Sequence, residues 1–186
     1  MTLSDTQSDP GFRGLFVIKL ILTAGVVALI VWSLQRPDAG ILKELLVAGP
    51  WGAAAVAAVF LTCVFFYCRD LEAVLHAVPE RSRKASPRSV WYMFLIPYNF
   101  VEDFFIIWNI GQSLAAEARH QPALAGTGRF GLVSGLGWCA LQIVSLIPTE
   151  LGSIGGFAAL PLWLWHWRYM RRVRRQLVLS HPVHAQ

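Results

Sequence analysis

Two adjacent acidic residues in an aromatic stretch are the candidates for a chemical function. Glu102 and Asp103 follow Asn99 within the run VWYMFLIPYNFVEDFFIIWNIGQSL, residues 90–114. Ionisable groups at membrane depth indicate a functional site, and here they predict a proton relay, a cation site or an ion pair with Lys19. The alternative is structural, with Glu102 forming a capping box with Asn99, Asp103 complementing the helix N-terminus, and both acids touching interfacial water.

Histidine spacing does not predict a metal or haem site. His76, His120 and His166 form neither an H-x-x-x-H nor a C-x-x-C-H pattern, although imidazoles ligate both metals and haem. His166 falls in the sequence WLWHWR, which is typical of an interfacial aromatic belt at the end of a membrane span. We therefore predict no bound cofactor.

Cysteine positions and short motifs argue against catalysis. Cys63 and Cys68 point about 140° apart around a helix, and Cys139 lies in another apolar run, so these thiols are expected to be small apolar fillers. The sequence has no P-loop, G-x-G-x-x-G, H-E-x-x-H or G-x-S-x-G motif. We expect a function other than that of an enzyme.

Two basic clusters are predicted to bind lipid or a partner. They are Arg81, Arg83, Lys84 and Arg88 in one loop, and Arg171, Arg172, Arg174 and Arg175 after the last apolar run. A basic residue near an anionic leaflet contributes about 1 kcal/mol. Nucleic acid is excluded as a partner because no recognised binding motif or aromatic platform accompanies the charges. The expected partners are anionic lipid headgroups, and a membrane protein or a second copy of the chain.

The elements that must position these residues lie in a membrane. Of 186 residues, 55% are hydrophobic and only 15% are charged, with a formal net charge of +5. Soluble domains are about half apolar and a quarter charged, and the mean hydropathy here is +0.51. This composition excludes an ordinary soluble domain and predicts an all-α integral membrane protein.

Four stretches approach the roughly 20 apolar residues that cross a bilayer. They are residues 15–34, 49–68, 130–147 and 153–167, within a membrane domain at 15–179 flanked by polar tails at 1–14 and 180–186. Lys19 lies near the start of the first span and is expected to snorkel to the surface. Turn residues from Pro148 to Gly152 predict that the last two spans form a tight helical hairpin. Gly131 and Gly135 have the G-x-x-x-G spacing of close helix packing, within the bundle or against another subunit.

The aromatic stretch is predicted to be a re-entrant or interfacial element over residues 90–119. If it does not cross, four spans leave only Arg36 and Lys43 outside and place thirteen basic residues inside. The positive-inside rule favours that arrangement over five spans, so both termini are expected in the cytoplasm of an inner-membrane protein. Residues 90–96 would dip inward, residues 97–99 would turn, and a helix from 100 to about 119 would return.

Helical periodicity predicts that the returning helix is amphipathic. At about 100° per residue one stripe is polar and faces the interface, and it contains Glu102, Asn109, Ser113, Glu117 and His120. The opposite face carries Phe100, Phe104, Ile107, Trp108, Gly111 and Ala115.

The layout resembles a bacterial family of four-helix integral membrane domains of unknown function. The resemblance covers residues 15–178 and rests on Tyr67 to Asp70, the basic loop at 81–88, Trp91 with the aromatic Ile96-Pro97-Tyr98-Asn99 element, Trp138, and the basic tail at 168–175. The sequence Phe-Val-Glu-Asp at 100–103 departs from the family, which more often has a further proline and a basic residue there. The resemblance implies the fold and supplies no catalytic residues.

These patterns together predict a small inner-membrane scaffold or accessory protein that binds a membrane partner or lipid. The alternative is a transport or ligand-sensing module with a polar site at Asn99, Glu102 and Asp103.

Overall fold

The protein is described by a computed structural model over residues 10–121, 124 and 131–180, and its regular structure there is entirely helical. The elements in order are α1 (Pro10–Leu34), α2 (Gly40–Val47), α3 (Gly49–Ala77), a 3₁₀ helix (Pro87–Phe94), α4 (Asn99–Ala118), α5 (Leu132–Ser145) and α6 (Glu150–Ser180). The all-α class is confirmed. Residues 1–9 and 181–186 of the predicted tails, and Arg129, lie outside the described residues.

Several helix ends differ from the predicted spans. α1 begins at Pro10, inside the predicted polar tail, because proline is well tolerated in the first turn of a helix. α3 has 29 residues and α6 has 31, so they continue past the predicted ends at 68 and 167. Good helix formers such as leucine, alanine and arginine extend both helices beyond their apolar runs. The eight-residue α2 had no counterpart among the predicted elements.

Within the part of the chain that the structure describes, two helices are long and apolar enough to cross a membrane, Arg13–Leu34 and Gly49–Ala77. Only 6% of the apolar window of the first and 17% of that of the second is buried within the protein. Large side chains such as Phe16, Ile21 and Phe66 therefore lie on the surface. α5 is apolar but has 14 residues, so length and composition identify two candidate spans rather than the predicted four.

The connections between helices collect at two ends of the bundle. Gly40, at the start of α2, packs so closely on the α5–α6 turn that a Cβ there would lie 3.0 Å from the carbonyl oxygen of Ile147. This end, the α2 end, also holds the beginnings of α3 and α6. The other end of α3 leads into the loop at 78–86, which contacts the C-terminal part of α4 through Ser82 and Glu117. We call it the basic end.

The segment from the 3₁₀ helix through α4 leaves the basic end and returns to it. Ser82 Oγ donates a hydrogen bond of 2.7 Å to Glu117, and the backbone N–H of Lys84 donates one of 2.8 Å to Ser113 Oγ. These contacts join the two ends of the segment, which therefore does not run from one end of the bundle to the other. The predicted helix at 100–119 is confirmed by α4, and the predicted inward stretch is mainly a 3₁₀ helix.

The hydrophobic core lies where α4 packs among the other elements near the basic end. It includes fully buried residues of α3, α4 and α6, namely Tyr67, Leu71, Leu75, Ile107, Ile110, Leu114, Met170 and Leu177. The N-terminal half of α3 and most of α1 contribute little to this core. Burial of apolar area therefore stabilises the basic half, and the α2 half keeps an apolar outer surface.

Candidate functional site

The first predicted acid, Glu102, forms a buried ion pair with Lys19. Lys19 Nζ lies 2.5 Å from Glu102 Oε2, and the two side chains are 14% and 9% exposed. The ammonium also lies 4.3 Å from the centre of the Phe105 ring, a cation–π contact. The ion pair is one of the predicted roles of this acid. Snorkelling of Lys19 to the surface is wrong, because Glu102 provides a charged partner inside the protein.

The predicted capping box does not form. Tyr98 precedes the first residue of α4, and no side chain caps the helix N-terminus. Glu102 is occupied by Lys19 instead of reaching back to Asn99, because an ion pair in a dry site is stronger than a cap exposed to water.

The second acid, Asp103, is buried without a charged partner. It is 2% exposed, and its Oδ1 has no hydrogen-bond donor among the described residues. Burial raises the pKa of Asp103 well above its usual range, and the negative charge of Glu102 raises it further. Asn99 lies one turn earlier, is 9% exposed, and has an Oδ1 without a donor in the described part of the chain. The prediction that the acids touch interfacial water is therefore wrong.

The polar stripe of α4 faces protein rather than water. Glu117 is fully buried and accepts hydrogen bonds from Ser82 Oγ at 2.7 Å and Gln121 Nε2 at 2.8 Å. Ser113 is also buried, and its hydroxyl donates to the carbonyl of Asn109 at 2.7 Å. Of the predicted stripe, His120 is exposed and Asn109 is half-buried. The water-facing orientation was wrong because the loop at 78–86 supplies polar partners for this face.

One member of the first basic cluster, Arg83, stabilises the fold. Arg83 donates from Nε to the carbonyl of Leu75 and from Nη2 to that of Val78, both at 2.9 Å. These carbonyls lie at the C-terminus of α3, where a helix leaves acceptors without partners. Arg81 lies 3.6 Å from Glu117 but its side chain is 63% exposed, and Lys84 and Arg88 are exposed as well. The loop thus contributes three exposed cations rather than four.

The second basic cluster borders a cleft between α3 and α6. Asp70 pairs with Arg171 at 3.5 Å and Arg174 at 3.3 Å, and it accepts a 2.7 Å hydrogen bond from Trp167 Nε1. The cleft has a volume of about 360 Å³ and is lined by Phe66, Arg69, Asp70, Ala73, Trp167, Arg171 and Arg174. Three arginines against one carboxylate leave it positive. Its apolar wall, Phe66, belongs to the exposed surface of α3.

The other members of this cluster lie outside the cleft. Arg172 and Arg175 are exposed, as is Arg168 one turn earlier. Arg175 borders an open, mainly apolar depression near the end of α6, which is also lined by Arg171, Arg174, Val178 and Leu179. The exposed arginines of α6 therefore divide into those that line the cleft and those that do not.

The predicted aromatic belt is in fact largely core. The ring of Tyr67 packs edge-on against Trp138 at 5.7 Å, Trp163 at 5.6 Å and His166 at 6.1 Å between ring centres. His166 is fully buried, and its Nδ1 lies 3.1 Å from the carbonyl oxygen of Gly131. The belt prediction is wrong for Trp163 and His166, because α6 turns this face toward α3 and α5, whereas Trp165 is exposed.

Small residues allow α4, α5 and α6 to approach closely. A Cβ on Gly135 would lie 2.6 Å from Ile107 Cγ2 and 2.9 Å from the His166 ring. Gly131 has φ +71°, a left-handed conformation that favours glycine, just before α5. Packing within the bundle, the first of the two predicted roles of the G-x-x-x-G pair, is confirmed.

Two further residues belong to these sites although the sequence did not single them out. Asp70 organises the cleft, and the charged pair Arg69-Asp70 directly after an apolar run was an available signal. Gln142, on α5, has a buried Oε1 without a donor in the described chain, and only the packing of α5 on α4 gives it significance. No protein-family model, curated protein or solved structure matches the chain, so the resemblance to the four-helix family stays a prediction.

Proposed function

We propose that this chain is a scaffold or accessory protein of the inner membrane that holds anionic lipid at the basic end of its helical bundle. In this proposal α1, α3, α5 and α6 cross the bilayer, and the segment from the 3₁₀ helix through α4 enters it and returns. The basic end and both termini lie in the cytoplasm. The function requires no catalytic step.

The distribution of apolar surface supports the membrane placement. α1 has 25 residues, about 38 Å at 1.5 Å per residue, and exposes large apolar side chains around it. Exposed apolar area of this extent is unfavourable in water and is what a helix in lipid requires.

The distribution of charge supports the sidedness. The basic loop at 81–88 and the arginines of α6 lie at the basic end, whereas Arg36 precedes α2 and Lys43 lies within it at the other end. This asymmetry agrees with the positive-inside rule for a basic end in the cytoplasm.

The cleft between α3 and α6 is the observation that carries the lipid-binding proposal. Its arginines, Arg69, Arg171 and Arg174, offer planar donors that suit the phosphate of a lipid headgroup. Phe66 adjoins the cleft on the exposed apolar side of α3, where an acyl chain would continue. Trp167, bonded to Asp70, has the amphipathic character of an interfacial anchor.

Lipid retention tests the proposal. The protein is purified from phosphatidylcholine nanodiscs containing a minor fraction of phosphatidylglycerol, and the retained lipids are counted by native mass spectrometry. Replacement of Arg69, Arg171 and Arg174 by glutamine should reduce phosphatidylglycerol retention by about 10-fold or more, since each charge contributes about 1 kcal/mol.

The matched control removes three charges from α6 outside the cleft, by replacing Arg168, Arg172 and Arg175 with glutamine. Phosphatidylglycerol retention should fall much less in this variant. An equal loss in both variants would show a diffuse electrostatic attraction and contradict a lipid site in the cleft. Displacement by soluble glycerol phosphate at a similar concentration would also contradict it, because the site would then take a free phosphate.

A further inference from the structure

Three buried side-chain oxygens on α4 and α5 lack hydrogen-bond donors in the described chain. They are Oδ1 of Asn99, Oδ1 of Asp103 and Oε1 of Gln142. Asn99 and Asp103 are more than nine-tenths buried. A buried acceptor without a partner costs about 1–3 kcal/mol, so three together indicate that something else satisfies them.

The register of the two helices places these oxygens together. Ile107 lies against Gly135, and Leu132 lies against Gly111, so α4 and α5 run antiparallel. Successive turns back along α4 from Ile107 lead to Asp103 and then to Asn99, at the i−4 spacing that keeps residues on one face.

The matching turns of α5 lead from Gly135 to Cys139 and then to Gln142. The carboxyl group of Asp103 lies within electrostatic range of the Cys139 thiol, which agrees with this alignment. Asn99 and Asp103 therefore face the turn of α5 that carries Gln142.

The charges around this position define the kind of occupant. Glu102 is neutralised by Lys19, which leaves Asp103 as the uncompensated acid of the region. The three oxygens are acceptors, and carboxylate and amide oxygens are ligands of hard cations. Burial favours the protonated form of Asp103, so a cation that binds here replaces that proton, and one positive charge neutralises the ionised carboxylate.

The geometry points to a binding site for a dehydrated monovalent cation such as Na⁺, formed by Asn99, Asp103 and Gln142 between α4 and α5. Because Lys19 already neutralises the neighbouring Glu102, the cation binds at Asp103. This site is separate from the cleft between α3 and α6, so lipid binding and cation binding can each be present without the other.

Sodium-dependent stability tests the site on the full-length protein in detergent. Thermal unfolding is followed by tryptophan fluorescence at fixed pH and ionic strength while NaCl replaces choline chloride. Trp138 is a buried residue of α5, the helix that carries Gln142, and so provides a nearby reporter. The unfolding temperature should rise by about 5 °C or more when Na⁺ exceeds its Kd about 100-fold.

Variants identify the ligands. Asp103→Asn should abolish the sodium response, Asn99→Ala and Gln142→Ala should weaken it, and Asp70→Asn, which removes an acid from the cleft, should keep it. If Asp103→Asn does not fold, Gln142→Ala and direct binding of radioactive Na⁺ to the unmodified protein provide the readout, with one ion expected per chain.

An unfolding temperature of the unmodified protein that does not depend on Na⁺ would overturn the cation site, because a buried water or a protonated carboxyl would then satisfy the oxygens. A sodium response that survives in Asp103→Asn would also overturn it.

Discussion

At the scale of single residues, the position of Lys19 shows what sequence can and cannot predict. The pairing of this lysine with the acids was one predicted role, because a charge in an apolar run needs a partner. Its burial over Phe105 and the pairing with Glu102 rather than Asp103 depend on how α1 packs on α4. Asn99, Glu102 and Asp103 were named from sequence, whereas Gln142 and Asp70 become significant only through other helices.

Breaking the Lys19–Glu102 pair should destabilise the protein strongly. Lys19→Met leaves Glu102 charged and buried, and Glu102→Gln leaves Lys19 unpaired, so each should cost about 3 kcal/mol. The double variant should cost less than the sum of the single ones, because neither charge is left alone. Unfolding curves of the unmodified protein, the two single variants and the double variant in one detergent give the coupling free energy between Lys19 and Glu102. Additive losses would show that the pair contributes no interaction of its own.

At the scale of elements, periodicity identified α4 within one residue at each end and grouped Glu102, Ser113 and Glu117 on one face. Periodicity could not show which residues this face of α4 contacts. A polar stripe faces water only if no other polar group is available, and here the loop at 78–86 provides Ser82, Arg81 and the Lys84 backbone. The continuation of α3 and α6 past their apolar runs was missed because hydropathy defines the span and not the helix.

The contact of α5 with α4 and α6 depends on a glycine at 135. Gly135→Ala would place a methyl group 2.6 Å from Ile107 Cγ2, closer than real contacts allow. The resulting separation of the helices should cost about 1–3 kcal/mol and lower the unfolding temperature by about 2 to 12 °C.

Gly137→Ala is the matched control in the same helix, since its Cβ would meet Leu162 at an ordinary 3.4 Å. This variant should be as stable as the parent or more so, because alanine favours the helix. Equal losses at both positions would mean that glycine flexibility, rather than close packing, governs α5.

At the scale of the whole molecule, hydrogen bonds between the loop at 78–86 and α4 bring the segment back to the basic end. The two ends of the segment are joined by hydrogen bonds, so α5 must begin near the end of the bundle where α3 finishes. Composition and charge bias predicted this return. Hydropathy alone could not, because the apolar residues of the segment and its two acids nearly cancel in insertion free energy.

Cysteine labelling from each side of the membrane tests this topology. In a Cys63→Ala background, Ala118→Cys should react with an impermeant maleimide only from the cytoplasmic side, and Glu150→Cys only from the opposite side. Asp38→Cys, beside α2, should match Glu150→Cys because both lie at the α2 end. Labelling of Ala118→Cys and Glu150→Cys from the same side would refute the four-span arrangement.

The ion pair between α1 and α4 also has a consequence for biosynthesis. Its two residues are separated by 83 positions, and a ribosome adding about 5–20 residues per second needs about 4–17 s to cover that distance. During this interval the nascent first helix carries an uncompensated ammonium. Docking of α1 is therefore completed only after α4 has been translated, and a nascent chain that stalls before Glu102 keeps an unpaired lysine in an apolar helix.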